Sequence, residues 1–534
     1  MIYADLILKN GKIISMNTQE SIFQAVAVKF GKIVAVGSNE DIDKYIGSET
    51  KTIDLLGKTV VPGFIDSHGH FINTGSAKEL YVDLSEEAGI HSISDIQEIL
   101  REKARKTPVG EWIFGYQEDD SKLEERRHPN RRELDEISTD HPILITTVGG
   151  HFWMANTKTF ELSNITKDTP DPEGGKFDRE PESGELIGGL HEDAYYIIRP
   201  EGPPQPNRDQ AKLGARQILS ECRSVGLTCI YDLVGRSETR AAIDLKNNGE
   251  LPIRIRMDIT IELLEELDKL GIYRGLGDQW VRICGIKFFF DGAVSARTAA
   301  VSEPYLDKPN FYGVMSTTKE LATEVLTKAY KKGYRISAHA NGDRAIKLYL
   351  DILEDLQKIF PRKDARNRDI HCSVINETLV KRIKDLKVLP TIFGAYPYYH
   401  GDKLIPSFGA DRLENMFAAR SFIDAGIMVA AHSDHPCSPF PPLMAIHALV
   451  NRKTKAGKPI GINQKISVLE ALKLYTINAA YHSFDEDLLG SIELNKLADF
   501  VVLEEDILTV PPERIKEICV FMTIIDGKIV YQKQ

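Results

Sequence analysis

The segment Pro62-Gly63-Phe64-Ile65-Asp66-Ser67-His68-Gly69-His70 carries two imidazoles two residues apart, at the end of an apolar run. On a β-strand, residues i and i+2 point to the same face, so His68 and His70 can converge on one divalent metal ion. Gly69 between them removes bulk from the opposite side. Paired histidines also occur on surfaces and in cores. Their position at the end of the first strand in a strand–helix series favours a metal.

Further candidates close later apolar runs. His339 ends YRISAH, His371 ends RDIH, and Asp434 follows GIMVA within Ala431-His432-Ser433-Asp434-His435. Each alone reads as an ordinary polar residue at a strand end. Their spacing is more telling: 371 − 339 = 32 residues is one βα unit, and 434 − 371 = 63 is two. The residues therefore fall on strands five, six and eight, at the C-terminal rim where barrel enzymes place their chemistry. Lys287 lies within ICGIKFFFDG, a strand too apolar to be half exposed. One reading pairs it with a carboxylate such as Asp291 or Asp434. The other uses the lowered pKa of a buried amine: a neutral lysine can add CO2, and the resulting carbamate would bridge two divalent metals.

These residues need a frame. Runs of strand composition occur at 60–66, 226–234, 252–260, 282–290, 334–339, 368–374, 388–396 and 427–434. Helical periodicity separates most of them, as at 319–332 and 344–360, where apolar residues recur at i, i+3 and i+4. Eight alternating units predict an α/β fold built on a closed (β/α)8 TIM barrel. The long interval after the first strand holds its own strand-like pieces at 111–117 and 142–149, a Gly/Pro/Asp-rich loop at 170–189 and a Pro-rich exit linker at 200–206. The two ends share turn-then-strand units at Asn10-Gly11, Gly31-Lys32 and Asp526-Gly527, which suggests one sheet domain closed by both termini. The expected division is a composite β-sandwich from 1–60 plus 485–534, a barrel from 61–75 plus 206–484, and an inserted α/β lobe from 76–205.

Composition narrows the function classes. The 534 residues are 42% hydrophobic and 27% charged, an ordinary globular mix. Lys and Arg number 67 against 78 Asp and Glu, a net charge of −11 that argues against a nucleic-acid or anionic-membrane binder. No apolar run is long enough to span a membrane, and the start MIYADLILKNGKII reads as strand rather than signal peptide. The six cysteines are scattered without a CxxC pair, as expected of reduced core residues in a cytoplasmic protein. The acidic stretch EEDILTVPPERI reads as a solvated loop.

The set PGFIDSHGH, Lys287, His339, His371 and Asp434 resembles the amidohydrolase superfamily in its binuclear form with a carboxylated lysine. More narrowly the chain is similar to the family that includes YtcJ-type proteins and N-substituted formamide deformylases. The resemblance runs nearly end to end, through IKFFFDGAVSARTAA at 286–300, AHANGDRAI at 338–346, PNRRELDEISTDHPILITTVGGHFWMANT at 129–157 and LADFVVL near the end. It implies that His68, His70 and Asp434 hold a first metal, that His339 and His371 hold a second, and that carboxylated Lys287 bridges them. Zinc is the first expectation, with Fe, Mn, Co or Ni accepted by the same ligands. A hydroxide of lowered pKa would attack the carbonyl, with Asp434 as general acid and base. A homodimer is implied by analogy alone.

The chain also departs from the family pattern. His432 stands where glycine is usual before Ser433-Asp434, His435 follows, Ile370 replaces a glutamate before His371, Asn341 replaces an apolar residue, and Gly149 an aspartate. His151 in the insert is a candidate substrate contact, with a structural role in an aromatic-rich turn as the alternative. Asp291 is a second candidate, with helix capping as its alternative. The expected function is metal-dependent hydrolysis of C–N bonds in amides, N-formyl or N-acyl amines. A mononuclear deaminase and a non-catalytic scaffold are the alternatives. The substrate is a small molecule in each catalytic reading.

Overall fold

The computed structural model describes residues 3–198 and 206–534. Eight parallel strands follow one another around a single sheet in chain order. They are β1 (Phe64–Gly69), β2 (Leu227–Val234), β3 (Arg254–Thr260), β4 (Val281–Phe289), β5 (Ile336–Ala340), β6 (Arg368–His371), β7 (Leu389–Phe393) and β8 (Ala430–His432). Nearly every residue in these strands is buried, as a sheet covered on its outer face by helices requires. All eight expected runs overlap a barrel strand. The first of them, 60–66, proves to be two strands. Thr59–Pro62 pairs in a different sheet, and the chain breaks at Gly63, where an added Cβ would meet Thr228 Oγ1 at 2.2 Å.

Between β8 and β1 the barrel closes without a regular ladder. Instead, Asp434 N–H donates to the His68 carbonyl (3.1 Å), and Ser67 Oγ donates to the Ala431 carbonyl (2.6 Å). Helix α1 (Phe71–Lys78) follows β1 and lies against α2 (Arg208–Ser224), the helix before β2. The two backbones touch at Gly75 and Gly214, where a Cβ on either would come within 2.3 Å of the other's carbonyl oxygen. Helix α3 (Asp343–Ile359) follows β5 and has a fully apolar inner face that includes Ile346, Leu350 and Leu353.

Three other sheets surround the barrel. One has four strands, all from residues 6–54. A second has six strands and combines both ends of the chain: Lys528–Gln532, Val520–Ile525, Phe500–Leu503, Thr59–Pro62, Lys12–Ile14 and Ile22–Phe23. The third, between β1 and β2 in sequence, includes Ile113–Glu118 and Ile143–Thr147. The expected loop at 170–189 contributes a hairpin to it, Gly175–Arg179 with Leu186–Glu192. The expected linker at 200–206 lies, apart from Pro206, outside the described residues. Among the described residues, no helix is long and apolar enough to cross a membrane.

The turn at Asn10-Gly11 joins Leu6–Lys9 to Lys12–Ile14, which belong to different sheets, so it carries the chain from one sheet to the other. Two local expectations need correction. The acidic stretch near the end is not a free loop: Ile507 and Ile515 are fully buried and Asp506 pairs with Lys12 at 2.6 Å. All six cysteines are free, but Cys519 is exposed rather than in the core.

The barrel floor is ionic. Asp258 receives Arg335 at 2.6 Å and Arg368 at 2.9 Å, and Arg256 meets Asp485 at 2.5 Å, all wholly buried. Arg254 at the start of β3 makes a two-pronged pair with Asp499 (2.7 and 2.8 Å), which also accepts the Asp526 amide at 2.9 Å. That pair ties the barrel to the sheet built from both termini. Asp499→Ala strands a buried guanidinium and is expected to cost about 3–5 kcal/mol, seen as a lower urea midpoint. The double replacement Asp499→Leu with Arg254→Met removes both charges and should recover most of that loss. A single variant as stable as the parent contradicts this role.

Candidate metal centre

His68 is the fifth residue of β1 and points into the barrel, 1% exposed. His70 has already left the strand and stands at the N-terminus of α1. Its side chain, 30% exposed, lies on the open side of the site. Gly69 has the role expected of it, since a Cβ there would lie 2.5 Å from the Phe71 ring. Asp232, at the end of β2, accepts the amides of Phe71 (2.7 Å) and Ile72 (3.0 Å) and thereby pins the helix behind His70. Both imidazoles place Nε2 at 3.3 Å from the same oxygen, Asp434 Oδ1.

His339 and His371 lie on neighbouring strands, with His371 Nε2 at 3.1 Å from His339 Nδ1. The backbone is left-handed at His371 (φ 80°), at Cys372 (φ 44°) and at Asp434 (φ 55°). Consecutive non-glycine residues in that region are costly and concentrate at functional sites. The twist at the end of β6 aims His371 inward, so that ligand atoms of His68, His371 and Asp434 lie within 4.8 Å of one another. Lys287 on β4 is 1% exposed and its Nζ lies 3.2 Å from His68 Nε2. Among the described residues it has no carboxylate within 4.0 Å, so the alternative reading, a pairing with Asp291 or Asp434, is not formed.

The electrostatics suit a cation that the protein itself does not supply. Burial, reinforced by Lys287, holds His68 well below its ordinary pKa, and burial does the same to His339 and His371. Each therefore presents a neutral imidazole with a lone pair. Burial opposes ionisation of Asp434, but the imidazoles of His371, His68 and His70 outweigh it and hold the carboxyl well below its usual range. Asp434 Oδ1 is nonetheless buried without a hydrogen-bond donor, as is Nδ1 of both His68 and His371. Burial lowers Lys287 to about 7, against the pull of Asp434. A buried anionic oxygen facing neutral imidazoles fits a divalent metal ion.

Two further buried carboxylates hold the ligands in place. Asp66 accepts Ser433 N–H (3.1 Å) and His68 N–H (3.2 Å), and burial raises it to about 7. Asp291 accepts the amides of Ala300 (2.9 Å), Asn341 (2.9 Å) and Gly342 (2.7 Å). It is wholly buried and secures the turn after His339, the capping role rather than the substrate contact. Asp66 and Asp232 were not singled out from sequence. Their signal was a carboxylate inside an otherwise apolar strand.

His151 arrives from the insert. Its Nδ1 lies 2.7 Å from Glu192 Oε2, and its ring centre is 5.0 Å from that of His339. Burial pulls its pKa down, but Glu192 outweighs this and raises it. A cavity of about 360 Å³ lies between insert and barrel, lined by Val148 and Gly149 and, in its charged wall, by Lys403 and Asp120; neither His151 nor a candidate ligand lines it. The Val148 carbonyl meets Cys437 Sγ at 3.3 Å, and Cys437 N–H donates to Asp434 O at 2.7 Å, so the cavity adjoins the ligand loop.

The sequence profile of the amidohydrolase family matches residues 51–531. The amidohydrolase-type protein YtcJ of Bacillus subtilis (strain 168) is 30% identical over 98% of this chain and 98% of its own. An N-substituted formamide deformylase of Arthrobacter pascens is 28% identical over 99% of this chain and 98% of its own. Among solved structures, an uncharacterized metal-dependent hydrolase from Pyrococcus horikoshii OT3 superposes with a TM-score of 0.75 at 27% identity. It covers 95% of this chain and 99% of the other.

A ligand that binds only the folded state stabilises it by mass action. Free divalent metal at 100 times its dissociation constant adds about 2.7 kcal/mol. Treatment with a chelator should therefore lower the melting temperature, and added Zn(II) or Co(II) should restore it. A melting temperature indifferent to both would remove the metal from the site.

Proposed function

The chain belongs to the amidohydrolase family, and from that premise we propose that it is a binuclear-metal hydrolase of N-formyl or N-acyl amines. The broader statement, a metal-dependent hydrolase of carbon–nitrogen bonds, follows from the family itself. The observation that carries the finer reading is the meeting of His68, His70 and Asp434 beside the His339–His371 pair, with neutralisable Lys287 between the strands. In this reading His68, His70 and Asp434 would hold one ion and His339 and His371 the other, with a carbamate on Lys287 as the ligand they would share. The proposal retains the division into a two-ended sandwich, a barrel and an insert at 76–205.

Bound divalent metal would polarise the substrate carbonyl and lower the pKa of water in the site. The protein's residues supply the rest. Asp434, fixed by its own amide to the His68 carbonyl, accepts the proton of the attacking water. It returns that proton to the leaving nitrogen as the C–N bond breaks, which yields a carboxylic acid and an amine. His151 directs Nδ1–H to Glu192, which raises its pKa and favours the imidazolium, and only in that doubly protonated form can Nε2 also donate to the carbonyl oxygen of a substrate. The charged wall of the neighbouring cavity, with Lys403 beside Asp119 and Asp120, favours a polar amine portion over a wholly apolar one.

A specific observation keeps a second reading in view. The residues whose ligand atoms come mutually closest, His68, His371 and Asp434, would suffice for one ion, as in a mononuclear deaminase. Metal analysis separates the two: about two equivalents per chain with CO2-dependent reconstitution for the first, one for the second. A panel of N-formyl and N-acetyl amines, assayed with metal and with chelator, tests the substrate class. Lys287→Ala should abolish turnover, with partial rescue by short carboxylic acids. Asp434→Asn should lower kcat by about 10²–10⁴. Full activity of Lys287→Ala would eliminate the carbamate.

A further inference from the structure

His432 is wholly buried and is the last residue of β8, two residues before Asp434 in the loop that follows the strand. Across the seam, His68 at the end of β1 and His70 just beyond it have the same spacing, so each side of the seam offers a pair of donors two residues apart. Neither ring nitrogen of His432 makes a hydrogen bond. The main-chain carbonyl of Thr391 lies near the ring, short of hydrogen-bond geometry. An imidazole closed off from water in this way forfeits all the hydrogen bonds it had in solvent, unless something besides the protein meets it.

Its neighbours suggest what that is. The ring centre of His432 lies 5.1 Å from that of His371 and 5.5 Å from that of His68, edge-on to both. The pair already sharing Asp434, His68 and His70, stands at 5.2 Å, and His68 and His371 at 5.5 Å. Two imidazoles on one tetrahedral ion, with metal–nitrogen bonds of about 2.0–2.1 Å, have ring centres roughly 5.2 Å apart. His432 therefore stands from His371 at the separation of two imidazoles on one ion, the separation His68 and His70 also show, and no farther from His68 than His371 is. On its remaining side the ring meets Phe393 at 4.7 Å, which limits the ways it can turn.

We propose that His432 is a further nitrogen ligand of the metal centre, supplied by the C-terminal end of β8. The inference rests on the metal-centre reading above and goes beyond it by adding a donor outside the set of six. A fifth imidazole would enrich the site in neutral nitrogen relative to carboxylate, which shifts preference toward Zn(II), Co(II), Ni(II) or Fe(II) and away from Mg(II).

The test uses the full chain loaded with Co(II) alone. X-ray absorption at the cobalt edge should count fewer imidazoles per chain in His432→Ala and in the ring-shaped His432→Phe than in the parent. Competition with a chelator should show Co(II) held at least 10-fold more weakly in both. An unchanged imidazole count and affinity in either folded variant overturns the proposal. Should neither variant fold, the parent decides by its own hyperfine-shifted histidine N–H resonances. Five, from His68, His70, His339, His371 and His432, support the proposal, and four overturn it. A parent that takes up no Co(II) defeats the metal centre itself, an outcome distinct from a loaded centre with four imidazoles.

Discussion

The seam between β1 and β8 is the constraint on which the site depends. Seven of the eight barrel contacts are ordinary parallel ladders, but the eighth is made by Asp434 N–H to the His68 carbonyl, Ser67 Oγ to the Ala431 carbonyl and Ser433 N–H to Asp66. The chain thus closes its barrel with the same residues that carry its ligands. A regular ladder could not place Asp434 in left-handed backbone, and without that turn its carboxylate would not point at His68 and His70. Asp66 makes the departure tolerable, because its buried carboxyl takes up amides that the missing ladder would otherwise leave unpaired.

The same device recurs around the rim. Asp232 fastens the helix behind His70, and Asp291 fastens the turn behind His339. In each case a carboxylate that binds no ligand itself fixes main chain next to a residue that can. The barrel floor extends the pattern with full charges: Arg368 reaches the Ser67 carbonyl and Asp258 at once, so the support of β1 runs through an ion pair on β3 and β6. Buried charge contributes little net stability where each ion must be desolvated, yet it penalises any register that leaves one unpaired. The polar interior of this barrel is thus better understood as specifying strand positions than as holding the fold together.

How far this was legible in the sequence depended on whether the signal was periodic. Strands β2 to β8, helix α3 and the placing of His339, His371 and Asp434 on strands five, six and eight all follow from spacing, because one βα unit consumes a nearly constant length of chain. The separate Thr59–Pro62 strand was hidden, since the apolar run continues unbroken across Gly63. The Asn10-Gly11 turn was legible as a bend before a strand, but turn chemistry says nothing about which sheet receives that strand. Asp66 and Asp232 were visible as letters but not as roles, since a carboxylate's function here lies in amides distant in sequence. His432 and its departure from glycine were noticed, whereas its closeness to His68 and His371 required three strands to be assembled.

Chemistry and selectivity have separate origins in this molecule. Every ligand candidate projects from a barrel strand or the two residues beyond it, held by ladders and buried carboxylates that a change of substrate need not disturb. His151, Glu192 and the inner edge of the cavity at Val148 and Gly149 come instead from the sheet inserted between β1 and β2. That sheet has its own buried core, with Ile113, Ile143, Leu134 and Met154 packed away from the barrel, so it can vary without unsettling the barrel interior. A hydrolase built this way can keep one bond-breaking apparatus while the insert decides which amine or acyl group is brought to it. Changes in selectivity should therefore accumulate on the insert's face toward His339, and changes in metal preference on β1, β6 and β8.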